Sequence, residues 1–185
     1  MKRADLEHVI RAAADATGEY EFVIIGSQSI LGAVAHPPEE LTMSMEADIY
    51  PLNAEEKADV IDGAIGEGSP FQDTFGYYAQ GVDSTTAILP EGWKERLHRV
   101  QNDGTNGYLG YCLDVIDLFM SKLAAHREKD REFNMALLRL GYVRMGAALA
   151  MVGSMPLDTE RKQELRRRIR RMVRMLRDRG HELAE

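Results

Sequence analysis

The chain has 185 residues, 44% of them hydrophobic, and a formal net charge of −7. This length predicts one domain, or one compact domain with a helical appendage, and no apolar run approaches the ~20 residues that a membrane span needs. The scattered charges of the first 18 residues argue against a secretory signal, and the single cysteine, Cys112, excludes an internal disulfide and a cysteine-rich zinc site, so we expect a cytoplasmic protein without membrane contacts.

The charge is distributed unevenly along the chain. Residues 160–185 contain ten arginines and lysines against five acidic residues, a balance of +5, so the preceding 159 residues carry −12. An acidic body is a poor surface for nucleic acid, whereas the basic tail is a candidate for one.

The first part of the chain alternates helical and strand patterns. Apolar residues at helical spacing predict an amphipathic helix over 3–17, closed by a glycine. The apolar, β-branched segment 21–26 predicts a buried strand, and we expect a helix directly after Gly26 with Ser27 as its cap. A second strand is expected over 43–50.

The middle of the chain continues this alternation. A helix is expected over 53–66, capped by Asn53, and two strands are expected within the aromatic and β-branched segment 71–89. Residues 97–101 and 107–112 predict a hairpin around the turn sequence "NDGTNG".

From Leu113 onward almost every stretch favours helix. Candidate helices span 113–126, 128–140, 143–152 and 158–179. The predicted fold class is α+β: a small mixed sheet with helices on one side, followed by a helical region. We expect an α/β core over residues 1–112 and a C-terminal helical region, packed on that core, over residues 113–185.

The stretch "SMEADIYP" (44–51) puts two carboxylates into a segment with a strand pattern. Side chains alternate faces along a strand, so Glu46 and Asp48 point the same way. The expected opposite face is apolar and consists of Met43, Met45, Ala47 and Ile49. Paired acids on a rigid strand suit a divalent cation, because Mg²⁺ is usually held by one or two carboxylates together with substrate phosphates. The alternative is a solvated polar face on an edge strand.

The stretch "IIGSQS" (24–29) ends a strand at a glycine and opens a helix. Backbone N–H groups and the positive end of the helix dipole make such a turn suitable for phosphate. Gly26 lets the backbone come close to a ligand, and Ser27 and Ser29 add hydroxyl donors. Turns of this kind are also common as purely structural connections, which is the alternative.

The segment 117–133, "DLFMSKLAAHREKDREF", carries an apolar helical stripe whose continuation reaches Arg127 and Asp130. Lys122 lies on a neighbouring face. A charged end on a core-facing stripe often borders a cleft. The alternative is an Arg127–Asp130 ion pair that closes the helix.

Together these stretches resemble the nucleotidyltransferase superfamily, in which a Gly-Gly or Gly-Ser turn precedes a strand bearing Asp-x-Asp. The stretch "SKLAAHREKDREF" (121–133) resembles the lysine-then-aspartate helical motif of the abortive-infection and toxin-type minimal nucleotidyltransferases, including the DUF6036-like group. The resemblance covers residues 20–133.

The resemblance implies roles for the matching positions of the sheet region. Gly26 and Ser27 match the phosphate-turn pair, with Ser29 as a further hydroxyl next to the nucleotide. Glu46 and Asp48 match the acids that bind metal. The first acid is Glu46 where the family pattern has Asp, and the longer side chain moves its carboxylate by one methylene.

The resemblance also implies roles outside this strand. Lys122 matches the lysine that contacts nucleotide phosphates, and Asp130 matches the later aspartate of the helical motif. Family members often use a third acid on a following strand, for which Asp83 in "GVDSTTAIL" is the best candidate. The alternative for Asp83 is a turn residue that caps the following "STT".

The resemblance implies a metal-dependent nucleotidyltransferase in which Mg²⁺, or Mn²⁺, is held by Glu46, Asp48 and Asp83. An NTP would donate a nucleoside monophosphate to an RNA (such as tRNA), a protein or a small molecule. The basic tail, with its apolar stripe, is compatible with a packed terminal helix, an RNA surface or a helix that binds a partner protein.

Two other classes of function stay open. The chain is also compatible with a catalytically inactive nucleotidyltransferase-fold binding partner in a toxin–antitoxin or regulatory pair. It is further compatible with an RNA- or DNA-binding protein that uses its basic C-terminal helix, for which binding would be strongly salt-dependent and independent of Glu46 and Asp48.

Overall fold

The computed structural model describes residues 1–183 and confirms the α+β prediction. Within these residues, five strands form one mixed sheet: β1 (Glu21–Ile25), β2 (Glu46–Pro51), β3 (Tyr78–Gly81), β4 (His98–Val100) and β5 (Leu109–Cys112). Their order across the sheet is β3-β2-β1-β5-β4. β1 runs parallel to β5 and antiparallel to β2, β2 runs parallel to β3, and β4 runs antiparallel to β5.

The described range also contains eight α-helices: α1 (Arg3–Thr17), α2 (Ile30–Ala33), α3 (Ala58–Ile65), α4 (Pro70–Phe75), α5 (Val115–Ala125), α6 (Glu128–Arg139), α7 (Met145–Met151) and α8 (Thr159–Asp178). α1 has the predicted bounds, and its apolar stripe is buried. Gly18 ends it in the left-handed conformation and donates its N–H to the Ala14 carbonyl at 2.8 Å.

The chain divides into two compact units. The first unit comprises residues 1–86 and 96–114 and holds the sheet, whereas the second comprises 87–95 and the chain from Val115 onward and holds α5 to α8. The predicted boundary between 112 and 113 lies two residues before the last point at which the chain passes from the first unit to the second. The sequence pattern does not show that residues 87–95 belong to the second unit. Within that unit, the Glu91 N–H donates to the Ser154 carbonyl at 2.8 Å and anchors this segment.

The core of the first unit is centred on β1, the middle strand. Phe22, Val23 and Ile24 are fully buried, so both faces of this strand are covered. On β5, Cys112 is buried so close to Gly32 that a Cβ at position 32 would overlap its side chain. Burial raises the pKa of the Cys112 thiol to about 12, which makes this cysteine a packing residue rather than a nucleophile.

Segment 71–89 does not contain the two strands that its composition predicts. It begins with α4, because Pro70 occupies the first helical position and the Ser69 hydroxyl accepts from the Gln72 N–H at 3.3 Å. Gly76 ends the helix in the left-handed conformation, and one strand, β3, follows. Local capping chemistry overrides the β propensity of the aromatic residues here.

The expected helices after Gly26 and Asn53 are shorter than predicted. A 3₁₀ turn at Ser27–Ser29 leads into the four-residue α2, and the Ser27 side chain does not cap it. Similarly, α3 begins at Ala58 after a 3₁₀ turn at Glu55–Lys57, so Asn53 is not its cap. These turns tighten the backbone where each strand gives way to a helix.

Strand β2 also begins later than predicted. It starts at Glu46, and Met43 and Met45 precede it with 74% and 50% of their side chains exposed. The predicted apolar face is therefore restricted to Ala47 and Ile49, both fully buried. β2 is not an edge strand, because β1 and β3 pair with its two sides.

Candidate active site

Gly26 and Asp48 meet where β1 ends. Ile25 and Asp48 are partners in the antiparallel ladder of β1 and β2, so the Asp48 side chain lies beside the residue that follows β1. Gly26 has φ 68° and ψ −166°, a conformation available essentially to glycine. A Cβ at position 26 would overlap the Asp48 carboxylate, whose Oδ2 fills that space. The sequence predicted the turn and the acid separately, and the fold brings them together.

Glu46 and Asp48 share one face of β2, as the alternation predicts. Both are partly exposed, whereas Ala47 between them is buried. Glu46 is the ladder partner of Tyr78, and the Tyr78 hydroxyl donates to Glu46 Oε2 at 3.4 Å. The two acids therefore occupy a solvent-accessible face on a strand that is held from both sides.

The pKa of Tyr78 reports the charge of this face. Burial raises that pKa above its usual value, and the carboxylates of Glu46, Glu67 and Asp48 raise it further because a phenolate would be repelled by them. The charges around Tyr78 that raise its pKa are thus negative. Such a field favours a bound cation.

The turn after β1 is held from beneath by two polar side chains. Ser29 is fully buried, and its hydroxyl donates to the Ile24 carbonyl at 2.6 Å. Gln28 is fully buried as well and donates to the Ser44 carbonyl at 3.0 Å, while its Oε1 has no hydrogen-bond partner among the described residues. Ser27 is the partly exposed hydroxyl of the turn. Ser29 therefore shapes the turn, and Ser27 is the more exposed of the two serines.

Asp83 lies in a loop beyond the end of β3. Gln80, not Asp83, is the ladder partner of Asp48, and because β2 and β3 are parallel, Asp83 is three residues further along, about 10 Å at the strand rise. Asp83 is exposed, and its Oδ1 accepts from the Thr85 N–H at 2.8 Å. Hydrogen bonds from the Thr85 side chain and backbone lower the pKa of Asp83, as expected for a capping carboxylate.

No group of three or more histidine, cysteine, aspartate or glutamate side chains is placed to hold a metal ion in the part of the chain that the structure describes. Glu46 and Asp48 form a pair of carboxylates without Asp83. A pair is compatible with Mg²⁺ when substrate phosphates supply further oxygen ligands.

Lys122 and Asp130 form a buried ion pair within the second unit. Lys122 Nζ lies 3.1 Å from Asp130 Oδ1, and the two side chains are 6% and 0% exposed. Arg127 Nε lies 2.7 Å from the other carboxylate oxygen, so the i,i+3 pair that the sequence offered as an alternative is present. Burial alone would raise the pKa of Asp130, but the hydrogen bonds and charges of Arg127 and Lys122 outweigh it and hold that pKa below its usual value.

This ion pair fixes the join between α5 and α6. The Asp130 carboxylate also accepts from the Arg127 backbone N–H at 3.2 Å, which caps α6. His126 makes the sharp turn between the helices with φ 57°. The Lys122 ammonium also lies 4.7 Å from the centre of the Phe133 ring, a cation–π contact.

The sequence patterns missed Tyr78 and Gln28. Tyr78 meets Glu46 only because β3 pairs with β2 in parallel, and that pairing joins segments separated by α3 and α4. Gln28 lies in the quoted turn, but no local pattern shows that its amide is buried against Ser44. Both contacts depend on tertiary pairing.

The family comparison covers this region. A family model described as a nucleotidyltransferase of unknown function (DUF6036) matches residues 4–137, more than half of the chain. The chain belongs to the DUF6036 family. The match includes every predicted site residue of this DUF6036 protein, from Gly26 to Asp130, and ends before α7 and α8.

A search among curated proteins and a search among solved structures found no significant match to this DUF6036 chain. Across residues 1–183, no helix has both the length and the apolar character that a membrane span requires.

Proposed function

We propose that this DUF6036 protein is a metal-dependent nucleotidyltransferase that moves a nucleoside monophosphate from an NTP to an acceptor. The observation that carries the proposal is the seating of the Asp48 carboxylate against the Gly26 turn, with Glu46 on the same strand face. In this arrangement two accessible acids lie next to the glycine turn, which supports the proposal.

Glu46 and Asp48 fit a hard divalent cation. Both offer carboxylate oxygens on a rigid, doubly paired strand, and the negative surroundings of Tyr78 favour a cation there. We propose Mg²⁺, with Mn²⁺ as an alternative. Asp83 is left out of this ligand set because its carboxylate caps its own loop.

The reaction joins an acceptor oxygen to the α-phosphorus of the NTP and breaks the α–β phosphoanhydride bond, releasing pyrophosphate. The bound cation would neutralise phosphate charge and polarise the phosphoryl oxygens. Asp48 and Glu46 would hold that cation, and Tyr78 steadies Glu46 by its hydrogen bond. The partly exposed Ser27 hydroxyl next to the Gly26 turn would donate to the phosphates.

Lys122 and Asp130 have a structural role in this proposal. The Lys122 ammonium is buried against the Asp130 carboxylate, so its contacts stabilise the join of α5 and α6. The resemblance implied a phosphate contact for Lys122, and this role stays a prediction.

Calorimetric titration of each of the four Mg²⁺–NTPs tests the proposal directly. Wild type is compared with Asp48→Asn and Glu46→Gln, which keep side-chain shape but remove charge, and with Asp15→Asn, an exposed acid on α1, as the matched control. We expect wild type and Asp15→Asn to bind at least one Mg²⁺–NTP, and the two β2 variants to lose that binding. Binding that survives both β2 substitutions would place the nucleotide elsewhere and overturn the assignment.

Transfer is tested separately, with labelled NTP offered together with total RNA, protein or small-molecule extract. We expect label in one acceptor class, abolished by Asp48→Asn. Nucleotide binding without transfer to any of them would instead favour an inactive nucleotidyltransferase-fold binding partner of the toxin–antitoxin or regulatory kind.

A further inference from the structure

A cavity of about 760 Å³ lies within the second unit and is lined by residues of α6, α8 and the turn between α5 and α6. Its size is in the range of small-molecule and nucleotide-sized sites. Its lining includes six arginines: Arg131, Arg167, Arg168, Arg170, Arg171 and Arg174. None of these residues belongs to the candidate active site.

The arginines exceed the acidic residues that could neutralise them. Among the described residues of the lining, Glu164 is the one carboxylate; its oxygens lie 2.7 Å from Arg167 Nη2 and 3.2 Å from Arg168 Nε. Arg168 also donates to the Leu123 carbonyl at 3.0 Å. The other four guanidinium groups have no ion-pair partner within residues 1–183. The cavity is therefore strongly positive.

The arrangement along α8 is costly unless an anion binds. The helix buries an apolar stripe from Leu165 to Leu176, which leaves its arginines to the opposite side. Arg170 and Arg174 are four residues apart, as are Arg167 and Arg171, and like charges at this spacing destabilise a helix. A solvated helix face usually mixes both signs of charge, whereas this one presents arginines to a cavity.

The chemistry of the lining selects phosphate over other features of a nucleic acid. Arginine forms bidentate hydrogen bonds with phosphate oxygens, which lysine does not. Residues 161–179 contain nine arginines and one lysine. The cavity lining contains no phenylalanine, tyrosine or tryptophan among the described residues, so it offers no broad platform for stacking bases. Such a surface reads the backbone and not the sequence.

We propose that this arginine cavity binds the phosphodiester backbone of a polynucleotide without sequence preference. If the polynucleotide bound here is also the acceptor of the transferase, the acceptor class is a nucleic acid. Only this statement about the acceptor rests on the proposed function. Backbone binding itself is independent of it.

The electrostatic field of the cavity is consistent with binding of a phosphodiester backbone. His126 borders the cavity, and its pKa is lowered by burial and then by the charges of Arg168 and Arg131, with Glu164 acting in the opposite direction. His126 is therefore neutral at neutral pH, and the arginines supply the charge.

The test measures fluorescence anisotropy of a labelled, unstructured 20-nucleotide RNA and the DNA of the same sequence over a range of salt concentrations, using the full chain. The test variant is Arg170→Gln/Arg174→Gln. The control is Arg177→Gln/Arg179→Gln, which removes the same charge from the same end of the chain but lies outside the cavity lining.

We expect wild type to bind with a steep salt dependence. Loss of two phosphate contacts should reduce the slope of log K against log salt by about 1.4, which corresponds to roughly 60-fold weaker binding at 50 mM salt if the affinities meet at 1 M. The control variant should stay close to wild type. Equal affinity for RNA and DNA supports backbone recognition, and a preference for RNA supports it with an added contact to the 2′-hydroxyl.

Three results would overturn the inference: no polynucleotide binding by wild type at 50 mM salt, an equal loss in both double variants, or tighter binding of a poly-glutamate peptide than of RNA, which would make the partner an acidic protein. Asp48→Asn separates the two proposals. That variant should keep RNA affinity while losing Mg²⁺–NTP, so failure of NTP binding leaves the cavity proposal standing, and failure of RNA binding leaves the nucleotide site standing.

Discussion

The two units of this chain carry opposite charge. The first has 6 basic and 18 acidic residues, a net charge of −12, and the second has 17 basic and 12 acidic residues, a net charge of +5. The acidic unit holds the paired carboxylates of β2, and the basic unit holds the arginine cavity. Both candidate ligands are phosphates, yet the two units can attract them only by different means.

The two units should differ in how their binding depends on metal ions and on salt. The acidic unit repels a triphosphate unless a cation comes between them, so its binding should require a divalent metal. The basic unit attracts a phosphodiester directly, so its binding should persist in EDTA and weaken with salt.

The largest effect is expected from the buried ion pair of the basic unit. Asp130→Asn removes the buried carboxylate that both Lys122 Nζ and Arg127 Nε contact, which should lower the free energy of unfolding by about 3–5 kcal/mol. Lys122→Met/Asp130→Leu removes both charges and should cost far less. Urea unfolding of the two variants and wild type at pH 7 checks this.

The same pair has a predictable pH dependence. Because the folded-state pKa of Asp130 is lowered, its contribution to stability is present above the unfolded value of about 3.9 and is lost as pH falls through the lower folded value. The acid limb of the wild-type stability curve should therefore be steeper than that of the double variant. Matching acid limbs would mean that Asp130 is not ionised in the fold.

The next effect concerns catalysis in the acidic unit. Asp48→Asn should reduce nucleotidyl transfer by about 10²–10³-fold, the usual cost of removing one electrostatic contact to a reacting group. Its unfolding free energy should change little, since Asp48 is partly exposed. Asp15→Asn should keep full activity. A variant that loses stability together with activity would indicate a structural role for Asp48 instead.

A smaller effect on the free energy of unfolding is expected at high pH, where the negative charges of the acidic unit oppose ionisation of a tyrosine. Burial, aided by the charges of Glu55 and Asp83, raises the pKa of Tyr50 to about 12. A raised folded-state pKa contributes stability below the unfolded value of about 10 and loses it between about pH 10 and 12, at about 1.4 kcal/mol per unit.

The difference between wild type and Tyr50→Phe isolates this residue, because Cys112 titrates in the same range in both proteins. We expect the difference in unfolding free energy to change by about 2–3 kcal/mol between pH 10 and 12. Asp83→Asn should lower the pKa of Tyr50, so the loss of stability should begin at a lower pH. An unchanged pKa in that variant would show that Asp83 does not contribute to the field.

The sequence predicted those parts of the candidate site that lie within one segment. Alternation along β2 put Glu46 and Asp48 on one face, and glycine followed by serine marked the turn after β1. The basic character of the last helix was likewise visible from composition. These features are local, and period-2 and composition signals are sufficient for them.

The rest depended on pairing between distant segments. The overlap of Asp48 with the space above Gly26 follows from the register of β1 and β2, and the position of Asp83 follows from the parallel register of β3. The cavity exists because α6 and α8 approach each other within the second unit. α4 was missed for a different reason, since the Ser69–Pro70 start outweighed aromatic composition.

The smallest effect uses Tyr78 as a reporter of metal next to Glu46. Its pKa is raised by burial and by Glu46, Glu67 and Asp48, so a bound divalent cation should lower it by offsetting those charges. Ca²⁺ serves as the oxygen-binding ion, because magnesium hydroxide precipitates where tyrosine titrates. The phenolate absorbance of wild type minus Tyr78→Phe, recorded against pH with and without Ca²⁺, gives the shift.

We expect a downward shift in wild type and none in a Glu46→Gln/Asp48→Asn background. If Ca²⁺ does not change the Tyr78 titration, no cation binds at this face of β2. The acidic unit would then have no means of attracting a triphosphate. A shift that disappears with the two β2 acids would tie the cation to those carboxylates without any measurement of turnover. The comparison between the units would then rest on one metal-dependent and one metal-independent phosphate site.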